Sequence, residues 1–241
     1  MLLLLLSLAI APGIAISLFV YSFRRLGKGS VRQLIVSFLL GMCATIPPFL
    51  IQLAAGDVRD EPYRHSILTF AWYAFIIVAF TEEGSKYLVL RWYGYPLERF
   101  QEPFDGVIYS VMIGMGFATL ENIGYVLNSG FKTGLIRMFL SVPSHGAFAV
   151  LMGYHVGLAK FDAARAVQHI VKGLLLAMFF HGAFDFFLLL PNSKQATQHI
   201  STYYLIGAAL VAYYIAIRMS IKSIRLQEEL SKQRFQKTTA Q

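Results

Sequence analysis

Phe80–Leu90, FTEEGSKYLVL, and Asp105–Tyr125, DGVIYSVMIGMGFATLENIGY, place Glu82, Glu83 and Glu121 inside runs otherwise apolar enough to cross a membrane. An ionised carboxylate in hydrocarbon is costly, so one that persists there faces a protein interior or a wet cavity. The remaining chain is then read as the helical bundle that surrounds these acids and brings His145 and His181 to them.

Composition agrees with that reading. Of the 241 residues, 56% are apolar and 14% are charged, against about a quarter charged in soluble domains. The single cysteine excludes a disulfide framework within the chain. A formal charge of +8 would suit nucleic acid, but the cations cluster between apolar runs and in the tail, which is the positive-inside pattern of a membrane protein.

The expected fold is all-α: a polytopic transmembrane bundle of about seven spans. They cover 1–23, 33–55 (kinked at Pro47-Pro48), 66–90, 105–127, 134–159, 168–190 and 202–221, each near the ~20 residues a bilayer requires. The first run lacks a basic n-region and is too long for a signal peptide, so it is read as a span. Residues 1–222 are read as a single integral-membrane domain and 223–241 as a basic cytoplasmic tail. With alternating sides, Arg24, Arg25, Lys28, Arg32, Arg91, Arg99, Lys160, Arg165, Lys172, Arg218, Lys222, Arg225, Lys232, Arg234 and Lys237 fall together, fifteen in all. Five fall opposite: Arg59, Arg64, Lys132, Arg137 and Lys194. This asymmetry predicts N-terminus out and C-terminus in.

Lys86 lies three and four residues beyond the two adjacent acids, on the helix face they share. An ion pair with Lys86 snorkelling to the interface explains one acid but not two, because helix neighbours point about 100° apart. The catalytic alternative has one Glu activating water while the other orients it or binds a metal. Phe117 and Glu121 are spaced i, i+4, Asn122 comes next, and Gly114 and Gly116 allow a second helix to approach. His145 comes two residues after Pro143, whose missing amide can open the helix. Asp185 sits one turn after His181, where a carboxylate fixes an imidazole tautomer. Asp105 reads as a helix cap, Tyr109 and Tyr125 as packing or interface aromatics, and His155, His65, His169 and His199 as interfacial or loop residues.

Two or three glutamates and two histidines from four helices suit two chemistries. In one, ligands drawn from Glu83, Glu121, His145 and His181 hold a zinc ion while a remaining Glu is general base to water. In the other, a Glu steered by His activates water directly, and Asn122 or a His stabilises the oxyanion. Two other functions use the same residues differently: a proton-coupled transporter, or a non-catalytic scaffold or immunity protein.

The motifs EEGSK (82–86), FDGVIY (104–109), GFATLENIGY (116–125), SHGAFAVLMGYHVGLAKF (144–161) and HGAFDF (181–186) together resemble the PrsW-type intramembrane proteases. That family is distantly similar to the CAAX-protease and bacteriocin-processing enzymes. Phe117-x-x-x-Glu121 stands where that superfamily carries Phe-x-x-x-His. The resemblance implies a protease of the bacterial cell membrane, making the first (site-1) cut in a single-span anti-sigma factor during an envelope-stress response. It implies the lipid bilayer and that substrate as partners, and no nucleic acid. It also implies Glu82, Glu83, Glu121, His145 and His181 as catalytic residues, supported by Lys86, Phe117, Asn122 and Asp185.

Overall fold

Inside hydrocarbon an α-helix satisfies all of its own backbone groups. The computed structural model describes residues 1–23, 30–60 and 66–239 (234–239 as backbone only), and within them the regular structure is helical with no strand. Arg24, Arg25, Lys28, Arg64, His65 and the side chains of Arg234 and Lys237 lie outside the described residues.

Among the described residues, six stretches are long and apolar enough to cross a membrane. The first is α1 (Leu2–Tyr21). The second divides into α2 (Val31–Cys43) and α3 (Ile46–Ala55), with Pro47-Pro48 in the first turn of α3, where missing amides are tolerated. The third runs continuously from Ile67 to Gly94, four residues past the expected end. It comprises α4 (Ile67–Trp72), a π-helical segment Tyr73–Phe80, α5 (Thr81–Val89) and a π-helical turn Leu90–Gly94.

The fourth stretch, Pro103–Phe161, is a helical hairpin made of α6 (Pro103–Phe139) and α7 (Ser141–Phe161). Its apex is Gly130, at φ 76°, a conformation that side chains with a Cβ rarely adopt. Residues on the two arms pair antiparallel: Val126 with Gly134, Asn122 with Arg137, Ser110 with Ala149, Gly106 with Gly153. Pro143 removes the amide that would bond the Phe139 carbonyl. The Tyr213 hydroxyl donates to that carbonyl instead, at 3.0 Å, so the break between α6 and α7 leaves no orphan there.

The arm 103–129 is the axis of the molecule, flanked by α1, α2 and α7. At Gly116 a Cβ would collide with the Phe38 carbonyl of α2, and at Gly114 with Ala149 of α7. Close backbone approach of this kind supplies the dispersion that holds membrane helices together. Asp105 does serve the helix start, but from the third position: its Oδ2 accepts the amides of Gln101 (2.8 Å) and Glu102 (3.1 Å).

The fifth and sixth stretches contain α8 (Ala166–Leu189) and α10 (Thr202–Thr239), separated by the short α9 (Lys194–Thr197). Residues expected as a tail continue α10 without interruption. Gln227 and Ser231 are buried against the start of α6, Gln227 donating to the Pro103 carbonyl at 2.8 Å.

Candidate active site

The π-helical segment ends where the two acids begin. A turn closed by i→i+5 bonds is wider than an α-turn, and such insertions recur at functional sites. Leaving it, Glu82 and Glu83 are both inside the protein, 3% and 0% exposed. They face different partners. Glu83 Oε1 accepts from Lys86 Nζ at 2.7 Å and lies 2.9 Å from His181 Nδ1. Glu82 Oε1 accepts from the Gln52 amide of α3 at 3.0 Å. Among the described residues Glu82 Oε2 and Glu83 Oε2 are both buried without a hydrogen-bond partner; Lys86 Nζ is 3.6 Å and His181 Nε2 3.8 Å from Glu82 Oε2.

Lys86 does not snorkel. It is 4% exposed, its ammonium lies 4.0 Å from the Phe117 ring centroid, and it reaches His145 Nδ1 at 3.0 Å. An ammonium only donates, so His145 Nδ1 accepts and the imidazole proton resides on Nε2. That Nε2 donates to Glu121 Oε2 at 3.0 Å, which also accepts from Arg137 Nη2 at 2.7 Å. The result is a chain of alternating charge and hydrogen bonds: Arg137, Glu121, His145, Lys86, Glu83, His181. Asp185 extends it, 3.3 Å from His181 Nε2. Pairing of this density is what makes so many charges tolerable in a low-dielectric interior.

All five expected site residues are therefore brought together, from α5, α6, α7 and α8. Three details differ from the sequence reading. Glu83, at 2.9 Å, sets the His181 tautomer more closely than Asp185 does. Asn122, expected as an oxyanion donor, is fully buried and turned toward α1. Its amide approaches the Leu8 and Ala9 carbonyls at 3.4 Å, and its oxygen accepts from Arg137 at 2.8 Å. Gln52 and Arg137 belong to the site although the sequence reading does not select them. Arg137 is counted only as one of the five cations on the outer side, yet a guanidinium inside the apolar run GLIRMFL is a signal of a buried partner. Gln52 carries no signal beyond being polar in an apolar span.

A cleft of about 450 Å³ opens between α3 and α6. Glu82 and Glu121 lie on its wall with Gln52, Phe49, Phe117 and Tyr125. Phe49, Leu50 and Leu53 beside it are exposed on the apolar face of α3. The Arg137 guanidinium covers the Tyr125 ring at 3.9 Å.

Among the described residues, one group of three can reach a common ion: Glu82, His145 and His181 offer ligand atoms within 4.8 Å of one another. The expected ligands Glu83 and Glu121 are not in it; Glu83 Oε1 meets Lys86 and His181, and Glu121 Oε2 meets Arg137 and His145. One carboxylate and two imidazoles suit zinc, and the orphan Glu82 Oε2 is a ready donor, so the residues fit the ion by type and reach. Both His145 nitrogens are occupied, so its ligation requires Lys86 or Glu121 to withdraw.

Residues 29–216 match the family described as PrsW family intramembrane metalloprotease. Curated relatives include Protease PrsW of Geobacillus kaustophilus, 35% identical over 187 residues (77% of this chain, 80% of that protein). Protease PrsW of Bacillus subtilis is 32% identical over 187 residues, covering 76% and 82%. That of Halalkalibacterium halodurans is 30% identical over 214 residues, covering 89% and 94%. No solved structure gives a significant match.

Proposed function

We propose a mechanism from a plain premise: the chain belongs to the PrsW family of intramembrane metalloproteases. It is a multi-pass protein of the bacterial membrane and a protease, which favours hydrolysis over the transport and scaffold alternatives.

The observation that carries the reading is that Glu82, unlike Glu83, lies on the wall of the cleft, with its Oε2 buried and without a hydrogen-bond partner among the described residues. A membrane-spanning peptide unwinds into the α3–α6 cleft, its apolar side chains against Phe49, Phe117 and Tyr125. Water held between Glu82 and Glu121 attacks the scissile carbonyl as Glu82 Oε2 takes its proton. On collapse of the tetrahedral intermediate the C–N bond breaks and Glu82 returns that proton to the leaving nitrogen, releasing an amine and a carboxylate. Gln52 holds the Glu82 carboxylate in place through Oε1, and the amide of Gln52 and the hydroxyl of Tyr125, both on the cleft wall, serve as neutral donors to the developing oxyanion. Glu83 has spent Oε1 on Lys86 and His181; its role is to keep them in place. Arg137 holds Glu121 against His145.

A second reading rests on the mutual reach of Glu82, His145 and His181. These three would hold zinc, which when bound supplies Lewis acidity toward water and the carbonyl. Glu121, on the same cleft wall, is then the base.

The substrate proposed is a single-span membrane protein, an anti-sigma factor cut on its extracytoplasmic side, from the resemblance of the combined motifs. The bundle is proposed to cross the membrane seven times, N-terminus out, the α6–α7 hairpin counting twice. The apex Gly130 then lies outside, and the cleft lies on that side of the cluster.

The test uses full-length protein in liposomes with a single-span anti-sigma factor. Glu82→Gln should abolish cleavage without unfolding the protein. Cleavage that survives a tight zinc chelator supports direct activation by Glu82, and loss restored by zinc supports the metal reading. Undiminished cleavage by Glu82→Gln would overturn both.

A further inference from the structure

We infer that a second cavity, at the opposite end of α7 from His145, binds a phosphate group, that of an anionic phospholipid. This cavity of about 570 Å³ lies between α7, α8 and α10. His155 is ten residues beyond His145, about 15 Å along the helix, so the site is separate from the cleft.

Three features point to an anionic ligand. Arg165, Lys172 and Lys222 line the cavity together with His155 and His169, and no carboxylate does. The nearest acid, Asp162, is committed to Arg165 at 2.8 Å and stands 3.7 Å from His169 Nε2. Among the described residues neither Lys172 nor Lys222 has an ion-pair partner. Finally, His155 is only 7% exposed, yet among the described residues its Nδ1 has no hydrogen-bond partner. Its ring stacks on His169, centroids 6.0 Å apart, which holds it in place at the cavity wall. A buried ring nitrogen left unpaired is unfavourable, and a phosphate oxygen at Nδ1 would satisfy it.

The remaining wall selects a lipid over a free anion. Leu158, Leu176 and Met219 line it, and the exposed apolar side chains of Val171, Leu175 and Ile221 lie on the same stretches of α8 and α10. Soluble phosphate has no use for such a surface; an acyl chain does. Basic pockets between helix ends on the cytoplasmic face are also where anionic headgroups concentrate. The consequence is mechanical. A headgroup here ties α10 to α7 and α8, the helices that carry His145 and His181.

The experiment uses full-length protein in nanodiscs of phosphatidylcholine with or without phosphatidylglycerol. Lipid retained by the protein is counted by native mass spectrometry and its thermal midpoint is recorded. Phosphatidylglycerol should be retained and should raise the midpoint. Lys172→Gln with Lys222→Gln should weaken retention at least about tenfold, while Arg218→Gln with Arg225→Gln, charge-matched on α10 outside the cavity, should not. Equal loss in both pairs would overturn the site. So would a midpoint shift by inorganic phosphate that matches the lipid's, since the lipid assignment would then fall. Should the lysine pair not fold, photo-crosslinkable phosphatidylglycerol on the wild type decides: label on the cavity helices near Leu158 and Met219 supports the site, and label confined elsewhere overturns it.

Discussion

The two charged regions of this bundle obey opposite rules. Around Glu82 every buried cation touches an anion or an imidazole, and Lys86 is shared between Glu83 and His145. Around His155 two lysines stand without an acidic partner among the described residues, and their side chains reach outward. The difference comes from dielectric. In the interior, an unpaired charge costs several kcal/mol, so charges occur only as a connected set. At the rim, water screens each ammonium, so excess charge is tolerated and becomes available to a ligand. Removing one member should therefore disable the first region and barely disturb the second.

The sharpest contrast is within the first region itself. Glu82→Gln should lower cleavage by about 10²–10⁴-fold, the scale of a lost general base, while the thermal midpoint stays near that of the wild type. Glu83→Gln should instead cost about 3–5 kcal/mol of stability, because it leaves Lys86 buried against a neutral amide. Denaturation in detergent measures this. If the two variants exchange phenotypes, the division of roles between the adjacent acids is reversed.

Lys86→Met combined with Glu83→Gln should destabilise less than the two single changes summed, with a coupling of about 0.5–3 kcal/mol. Lys86→Met alone also frees His145 Nδ1, so zinc should bind it more tightly than wild type in calorimetric titration. Unchanged zinc affinity would mean that Lys86 does not compete for the cluster. Tyr213→Phe, which strips the donor from the Phe139 carbonyl at the α6–α7 break, should cost about 0.5–1.5 kcal/mol. Lys222→Gln should change stability in pure phosphatidylcholine by no more than about 0.5 kcal/mol, the smallest effect of all. A larger loss there would erase the contrast between the two regions.

Much of the fold is legible in the sequence because bilayer physics imposes length and polarity on each helix. The break at Pro47-Pro48, the packing glycines Gly114 and Gly116, and the hairpin between Leu127 and Gly134 all come from local rules. The snorkelling alternative for Lys86 stays open in the sequence because its depth depends on how far the third stretch extends toward Gly94. Asn122 reads as part of the chemistry because it adjoins Glu121, yet neighbours on a helix need not share a face.

The sequence by itself determined that this is an all-helical membrane protein with glutamates and histidines at span depth, since a charge in hydrocarbon needs a reason that no surface residue needs. Only the tertiary structure decided which atoms meet. Each acid keeps one unpartnered oxygen among the described residues, but Glu83 Oε1 is held by Lys86 and His181 while Glu82 lies on the cleft wall, because those placements depend on helix rotation and on residues scores of positions away. Gln52 on α3 and Arg137 on the returning arm of the hairpin enter the cluster for the same reason: their significance lies in proximity across helices, which no local pattern encodes.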